Sequence, residues 1–113
     1  MADILQGEIY LWPRLPPDHP MGQKQHMWVV ISSTVFNEAN SHVMACPLTS
    51  YPATAIDVHV PDTPHDPLKH DSALRVCMMT PILKRHLSDP LGRLSFRLVQ
   101  QVTDRLRMII EAK

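Results

Sequence analysis

Thr49 and Ser50 are adjacent hydroxyl residues just past the short apolar run Val43 to Cys46. Hydroxyls at the mouth of a rigid sheet are well placed to hold a polar ligand. Arg75 is a lone cation inside the otherwise apolar stretch Ala73 to Met79. It reads either as an exposed edge-strand residue or as a guanidinium turned towards an anion. His26 stands just before the apolar run Trp28 to Ile31. An imidazole there is either a surface residue at a strand start or a group that exchanges protons near neutral pH. The other histidines show no ligand spacing: His19 falls in a loop, His59 on the polar side of a strand, and His42, His65, His70 and His86 near turns. With no CxxC pair and no HExxH helix, a zinc site has little support. Cys46 and Cys77 both lie in apolar runs and read as two buried free thiols rather than a disulfide.

The stretch from Trp28 to Ser50 organises the elements that must position these groups. Trp28 to Ile31 is a buried strand, and Ser32, Ser33 and Thr34 favour a turn or a helix cap. Val35 to Ala39 suffices for one helical turn, and Asn40-Ser41 breaks it. Val43 to Cys46 is the next strand, and Pro47 is expected to end its regular pairing. Before this stretch, Gly7 to Trp12 makes a first strand. Residues 13–25, with four prolines, form a loop of the length that is often functional. After it, Tyr51 to Ala55 is a connection. Ile56 to Val60 alternates, with Ile56, Val58 and Val60 on one face. Pro61 to Asp71 is a second proline-rich loop, and Ala73 to Met79 a further strand. Thr80-Pro81 bends the chain, Ile82 to Leu87 is a short strand or a turn of helix, and Asp89 to Gly92 is a turn. Ser95 caps a final helix, whose stripe is Leu98, Val99, Val102, Leu106, Ile109 and Ile110. Several short strands followed by one helix predict a small, strongly curved sheet or barrel with a helix packed on it.

A chain of 113 residues suits one domain, 1–113. Hydrophobic residues are 44% of it but aromatics only 5%, so aliphatic side chains must fill the core. No apolar run approaches the roughly eighteen residues that span a bilayer, and the first ten residues lack a signal peptide's pattern. A cytoplasmic protein is expected. Eleven basic residues balance eleven acidic ones, which argues against tight non-specific nucleic-acid binding. The basic residues concentrate after residue 72. That bias fits a solvated helix face or a polyanionic partner.

Four stretches together resemble the MazF/PemK family, the toxin half of type II toxin–antitoxin pairs. They are Gly7-Glu8-Ile9-Tyr10; Val29-Val30-Ile31-Ser32 with Phe36-Asn37; Cys46-Pro47-Leu48-Thr49-Ser50; and Leu91-Gly92-Arg93-Leu94-Ser95 leading into the helix. They follow the family's order across almost the whole chain. The resemblance implies an SH3-like small β-barrel with a C-terminal helix, usually a homodimer. It also implies an endoribonuclease that cuts single-stranded RNA without a metal or other cofactor. In such enzymes the ribose 2′-hydroxyl attacks the adjacent phosphate, leaving a cyclic phosphate and a free 5′-hydroxyl. An antitoxin tail fills the groove.

Such cleavage needs a base, an acid and donors for the phosphate. The family's Arg before the second strand is matched here by His26, which cannot copy a permanent two-pronged clamp. Thr49 matches the Thr that contacts the scissile phosphate. Arg75 matches an Arg that serves the PemK-like branch as acid or phosphate ligand, but Cys77 stands where that branch has its Asp base. The expected catalytic set is therefore His26, Thr49 and Arg75, with Lys24, Gln25 and Ser50 against RNA. His19 only loosely matches a loop His of some members. The competing expectation is a catalytically inactive module of the same fold that acts by binding protein. The gyrase-poisoning version has less support, since the chain ends Ile110-Glu111-Ala112-Lys113 rather than in Trp-Gly-Ile.

Overall fold

The computed structural model describes residues 3–12, 26–50, 56–60 and 72–110. The expected loops at 13–25 and 61–71 and the connection at 51–55 lie outside them. Seven antiparallel strands form one curled sheet: β1 (Glu8–Trp12), β2 (His26–Val30), β3 (His42–Ser50), β4 (Val58–Val60), β5 (Ser72–Leu74), β6 (Thr80–Leu83) and β7 (Gly92–Arg93). The order across the sheet is β4-β5-β3-β2-β1-β7, and β6 also pairs with β3. A short helix α1 (Thr34–Ala39) joins β2 to β3, and α2 (Phe96–Ile110) closes the chain. The expected mainly-β fold with a C-terminal helix is present, as a curled half-barrel. Among the described residues no helix is long and apolar enough to cross a membrane.

The central strands are apolar on both faces because both faces are covered. One side holds Ile9, Val29, Ile31, Cys46, Leu48, Val58, Leu74, Val99 and Val102 among others. The other holds Tyr10, Trp28, Val30, Val43, Ala45 and Ile82. This double burial explains why Trp28 to Ile31 reads as a continuous run rather than an alternation. Tyr10 gives its hydroxyl hydrogen to Glu8 Oε1 at 3.0 Å. Burial first, and the Glu8 contact second, push its phenol pKa well above the ordinary range.

At the start of β3 a polar knot around the Asn37 amide fixes α1. Asn37 is buried; its Nδ2 donates to Ile4 O at 2.9 Å and to Ser32 O at 3.2 Å. Its Oδ1 accepts from the Ser32 hydroxyl, and that hydroxyl oxygen also accepts from Met44 N. Lys84 Nζ donates to Asn37 O at 2.7 Å. The expected turn and single helical turn are present, with Ser33 Oγ capping Phe36 N.

Pro47 does not end β3, which runs on to Ser50. Trp28 stands opposite Pro47 on the β2 side, and Arg75 N donates to Pro47 O at 2.9 Å on the other. A non-proline residue would return a hydrogen bond from its own N–H to the Arg75 carbonyl. Pro47 has none to give, and the Arg75 carbonyl accepts from Met78 N instead, at 3.1 Å. The expected strand from Ala73 to Met79 is therefore cut. β5 stops at Leu74, and Val76–Met78 form a 3-10 turn. The chain then rejoins β3 as β6, so Thr80-Pro81 lies in a strand rather than at a bend. Ile82 to Leu87 holds both of the expected alternatives, the end of β6 and a 3-10 turn at Lys84–His86.

Ser95 caps α2 as expected, its Oγ accepting from Leu98 N at 3.3 Å. Val99 and Val102 are buried, and Leu98 and Leu106 pack on the same core. Ile109 and Ile110, expected on that stripe, are exposed, because Leu106 is the last of its residues to reach the core. Gly7 lies under this helix at φ 93°, a conformation that disfavours any side chain. A Cβ there would come within 3.1 Å of Val99 Cγ2.

Candidate active site

Three adjacent strands bring Thr49, Arg75 and Asp57 together. On β3, Thr49 stands opposite Ala73 of β5. Arg75 directly follows β5. On its other side β5 pairs with β4 through Val58 and Leu74, and one more step in that register sets Asp57 against Arg75. The side chains meet accordingly. Arg75 Nε donates to Thr49 Oγ1 at 2.8 Å, and Nη1 to Asp57 Oδ2 at 2.5 Å. The Thr49 hydroxyl gives its hydrogen to Ala73 O across a long 3.4 Å.

Burial divides the roles. The Asp57 side chain is 1% exposed and the Arg75 side chain 25% exposed. A carboxylate so enclosed requires a charged or well-bonded partner, and Arg75 supplies it. Two of the five guanidinium N–H donors are used, at Nε and Nη1. The other three have no hydrogen-bond partner among the described residues. The corner thus presents unsaturated cationic donors and a hydroxyl whose hydrogen is weakly engaged. Both suit a phosphate oxygen.

The other expected site residues fall as follows. The backbone of His26 lies on β2 opposite Trp12, and Met27 pairs with Leu48. The next step of that register sets His26 alongside Thr49. Ser50 closes β3 opposite Ser72. Lys24, Gln25 and His19 lie outside the described residues.

Cys77 was expected to be buried and to follow Arg75 along one strand. It is exposed, and it sits in the 3-10 turn forced by Pro47. The carboxylate that reaches Arg75 comes instead from the neighbouring strand, at Asp57. In the alternating pattern of Ile56 to Val60, Asp57 falls on the face opposite Ile56, Val58 and Val60. The available signal was two lone, opposite charges, each flanked by apolar residues of a short run. Cys46 is buried as expected; its Sγ donates to Val76 O at 3.7 Å. Burial, and then the neighbouring Cys77 and Asp57, push its pKa up to about 12, so it is no nucleophile near neutrality. Among the described residues no three His, Cys, Asp or Glu gather as a metal site.

Solved structures of similar shape share this architecture. A Mycobacterial endoribonuclease in complex with its cognate antitoxin superposes at TM-score 0.72 with 21% identity, covering 100% of this chain and 98% of that one. MazF (Form-I) from Deinococcus radiodurans gives TM-score 0.79 at 15% identity over 99% and 100%. A MazE-MazF structure (Form-III) from the same organism gives 0.76 at 16% over 99% and 100%. No curated protein matches the chain. The model of the PemK-like, MazF-like toxins of type II toxin–antitoxin systems matches residues 5–110, nearly the whole sequence. The four motifs, the curled sheet and its C-terminal helix agree with that match, and the chain belongs to this toxin family.

Proposed function

We propose that this protein is an endoribonuclease toxin that cleaves single-stranded RNA without a metal and is neutralised by a cognate antitoxin. The observation that carries the reading is the contact of Arg75 with Thr49, with three guanidinium donors left over at a quarter-exposed corner. In the reaction the ribose 2′-oxygen forms a bond to the adjacent phosphorus, and the bond from phosphorus to the 5′-oxygen breaks. His26 takes the 2′-hydroxyl proton, and the leaving 5′-oxygen takes a proton from water. Arg75 and the Thr49 hydroxyl donate to the non-bridging oxygens, where negative charge builds up. Arg75 serves as a donor and not as the acid, because its guanidinium holds its proton too firmly. Lys24, Gln25 and Ser50 contact the flanking RNA on this reading. The protein acts in the cytoplasm as a single domain that pairs with a second copy.

A second reading has an observation in its favour. Asp57 already compensates the Arg75 charge, which weakens the corner's pull on a phosphate. On that reading the chain binds protein and cuts nothing. Incubation of purified protein with a long single-stranded RNA in EDTA separates the two. The expected result is discrete fragments ending in a cyclic phosphate. Thr49→Val and Arg75→Lys should each lower the rate by roughly tenfold or more, as loss of a transition-state donor does. No cleavage by folded protein across neutral pH overturns the ribonuclease reading and leaves the binding module.

A further inference from the structure

We infer that Asp57 is a positioning residue for Arg75: it fixes the guanidinium so that the donors not bound within the protein face the site occupied by the scissile phosphate. The catalytic consequence rests on the ribonuclease reading above; the positioning itself does not.

A free arginine side chain has rotamer entropy to lose before its fork is useful. Here two atoms of the fork are held from two different strands. Thr49 Oγ1 on β3 holds Nε at 2.8 Å, and Asp57 Oδ2 beside β4 holds Nη1 at 2.5 Å. A planar group held at two of its nitrogens has no remaining freedom to swing. The backbone beneath is fixed as well, by Arg75 N to Pro47 O and by Arg75 O accepting from Met78 N. Nη2 and the remaining Nη1 hydrogen are left over. They are charged N–H donors of the kind that bind phosphate oxygens.

Asp57 itself is too enclosed, at 1% side-chain exposure, to touch a substrate. It reaches the phosphate site through Arg75. Its charge also weakens the attraction of the corner for RNA in the ground state. A residue kept for affinity would not do that, whereas one kept for orientation can. The two effects separate experimentally: removing the carboxylate should loosen the fork and slow the chemical step, while leaving RNA affinity equal or tighter.

Two variants and two readouts test this. Asp57→Asn keeps the shape and an acceptor oxygen; Asp57→Ala keeps neither. Both are first shown to be folded by thermal melting. In NMR spectra the Arg75 Nε–H signal, identified by its loss in Arg75→Lys, is expected to be distinct and slowly exchanging. It should persist in Asp57→Asn and merge with the mobile arginines in Asp57→Ala. Single-turnover cleavage should fall roughly tenfold to a hundredfold in Asp57→Ala and less in Asp57→Asn, the scale of a misplaced catalytic group. Binding of an uncleavable 2′-deoxy oligonucleotide should be unchanged or tighter. An unaltered Arg75 signal in folded Asp57→Ala overturns the inference, and so does a parallel loss of binding and rate. If wild-type protein cuts no RNA, the ribonuclease reading fails, while the NMR signal still decides the positioning role.

Discussion

At the start of β3, Asn37 is tied to Ile4, Ser32 and Lys84 by neutral amide and hydroxyl contacts and one lysine. At the other end of the same strand, Thr49 meets a cation that is itself tied to a buried carboxylate. Both knots cross-link segments distant in sequence. They differ in what is left over. Both amide hydrogens and the oxygen of the Asn37 side chain are used, so that side chain keeps no donor for a ligand. The Arg75 corner is charged, part-exposed and only two-fifths used as a donor set. A saturated neutral amide specifies a fold, whereas an unsaturated charged group costs stability unless something binds it.

The sharpest way to break this comparison is Arg75→Ala. It leaves the Asp57 carboxylate buried without its cation, and urea or thermal unfolding should show a loss of about 3–5 kcal/mol. A loss under about 1 kcal/mol would mean that Asp57 does not depend on Arg75 and that the two knots are alike. Next in size is Asn37→Ala, expected to cost about 1–3 kcal/mol by stripping the donors from Ile4 O and Ser32 O. Cleavage per folded molecule should not change; a drop there would place the neutral knot in the functional machinery. The smallest effect at neutral pH belongs to Cys46, midway between the knots. Its thiol ionises near 9.0 in the unfolded chain and only at about 12 in the fold. The unfolded chain therefore loses that proton first as pH rises. Below about pH 9 the contribution is constant, and between 9 and 12 stability falls with pH. Alkaline melting of wild type against Cys46→Ala should show a steeper decline in wild type.

The pattern of apolar residues was enough to read the strands of the first half and the start of α2, because those segments bury faces that recur at fixed intervals. Ser95 and Ser33 were legible as caps for the same local reason. Asp57 was not, because its role depends on β4 lying beside β5, a contact across eighteen residues that no local pattern encodes. Pro47 was read as a strand breaker for its own segment. It acts instead on the segment opposite, and an effect that crosses a sheet is invisible along one strand. The C-terminal stripe carried on to Ile109 and Ile110, since periodicity says which way a residue faces and not whether anything lies in front of it. Resemblance picks out His26 and Thr49 separately, and only the pairing of β2 with β3, which runs as far as Met27 and Leu48, shows that their strands are neighbours.

The 3-10 turn after Arg75 also has an arithmetical consequence. Three steps along β3, from Leu48 to Ala45, are matched by six along the facing chain, from Leu74 to Thr80. An odd surplus of three exchanges inside for outside. Leu74 enters the core beneath α2, while Ile82, at an even distance along the same chain, enters the opposite one. An uninterrupted strand would send both to the same face. The turn thus works as a half-twist in the chain's parity, letting one segment line two cores. Deletion of a single residue between Val76 and Met78 would invert every side chain of β6, whereas deletion of two would shorten the turn and keep each on its present side.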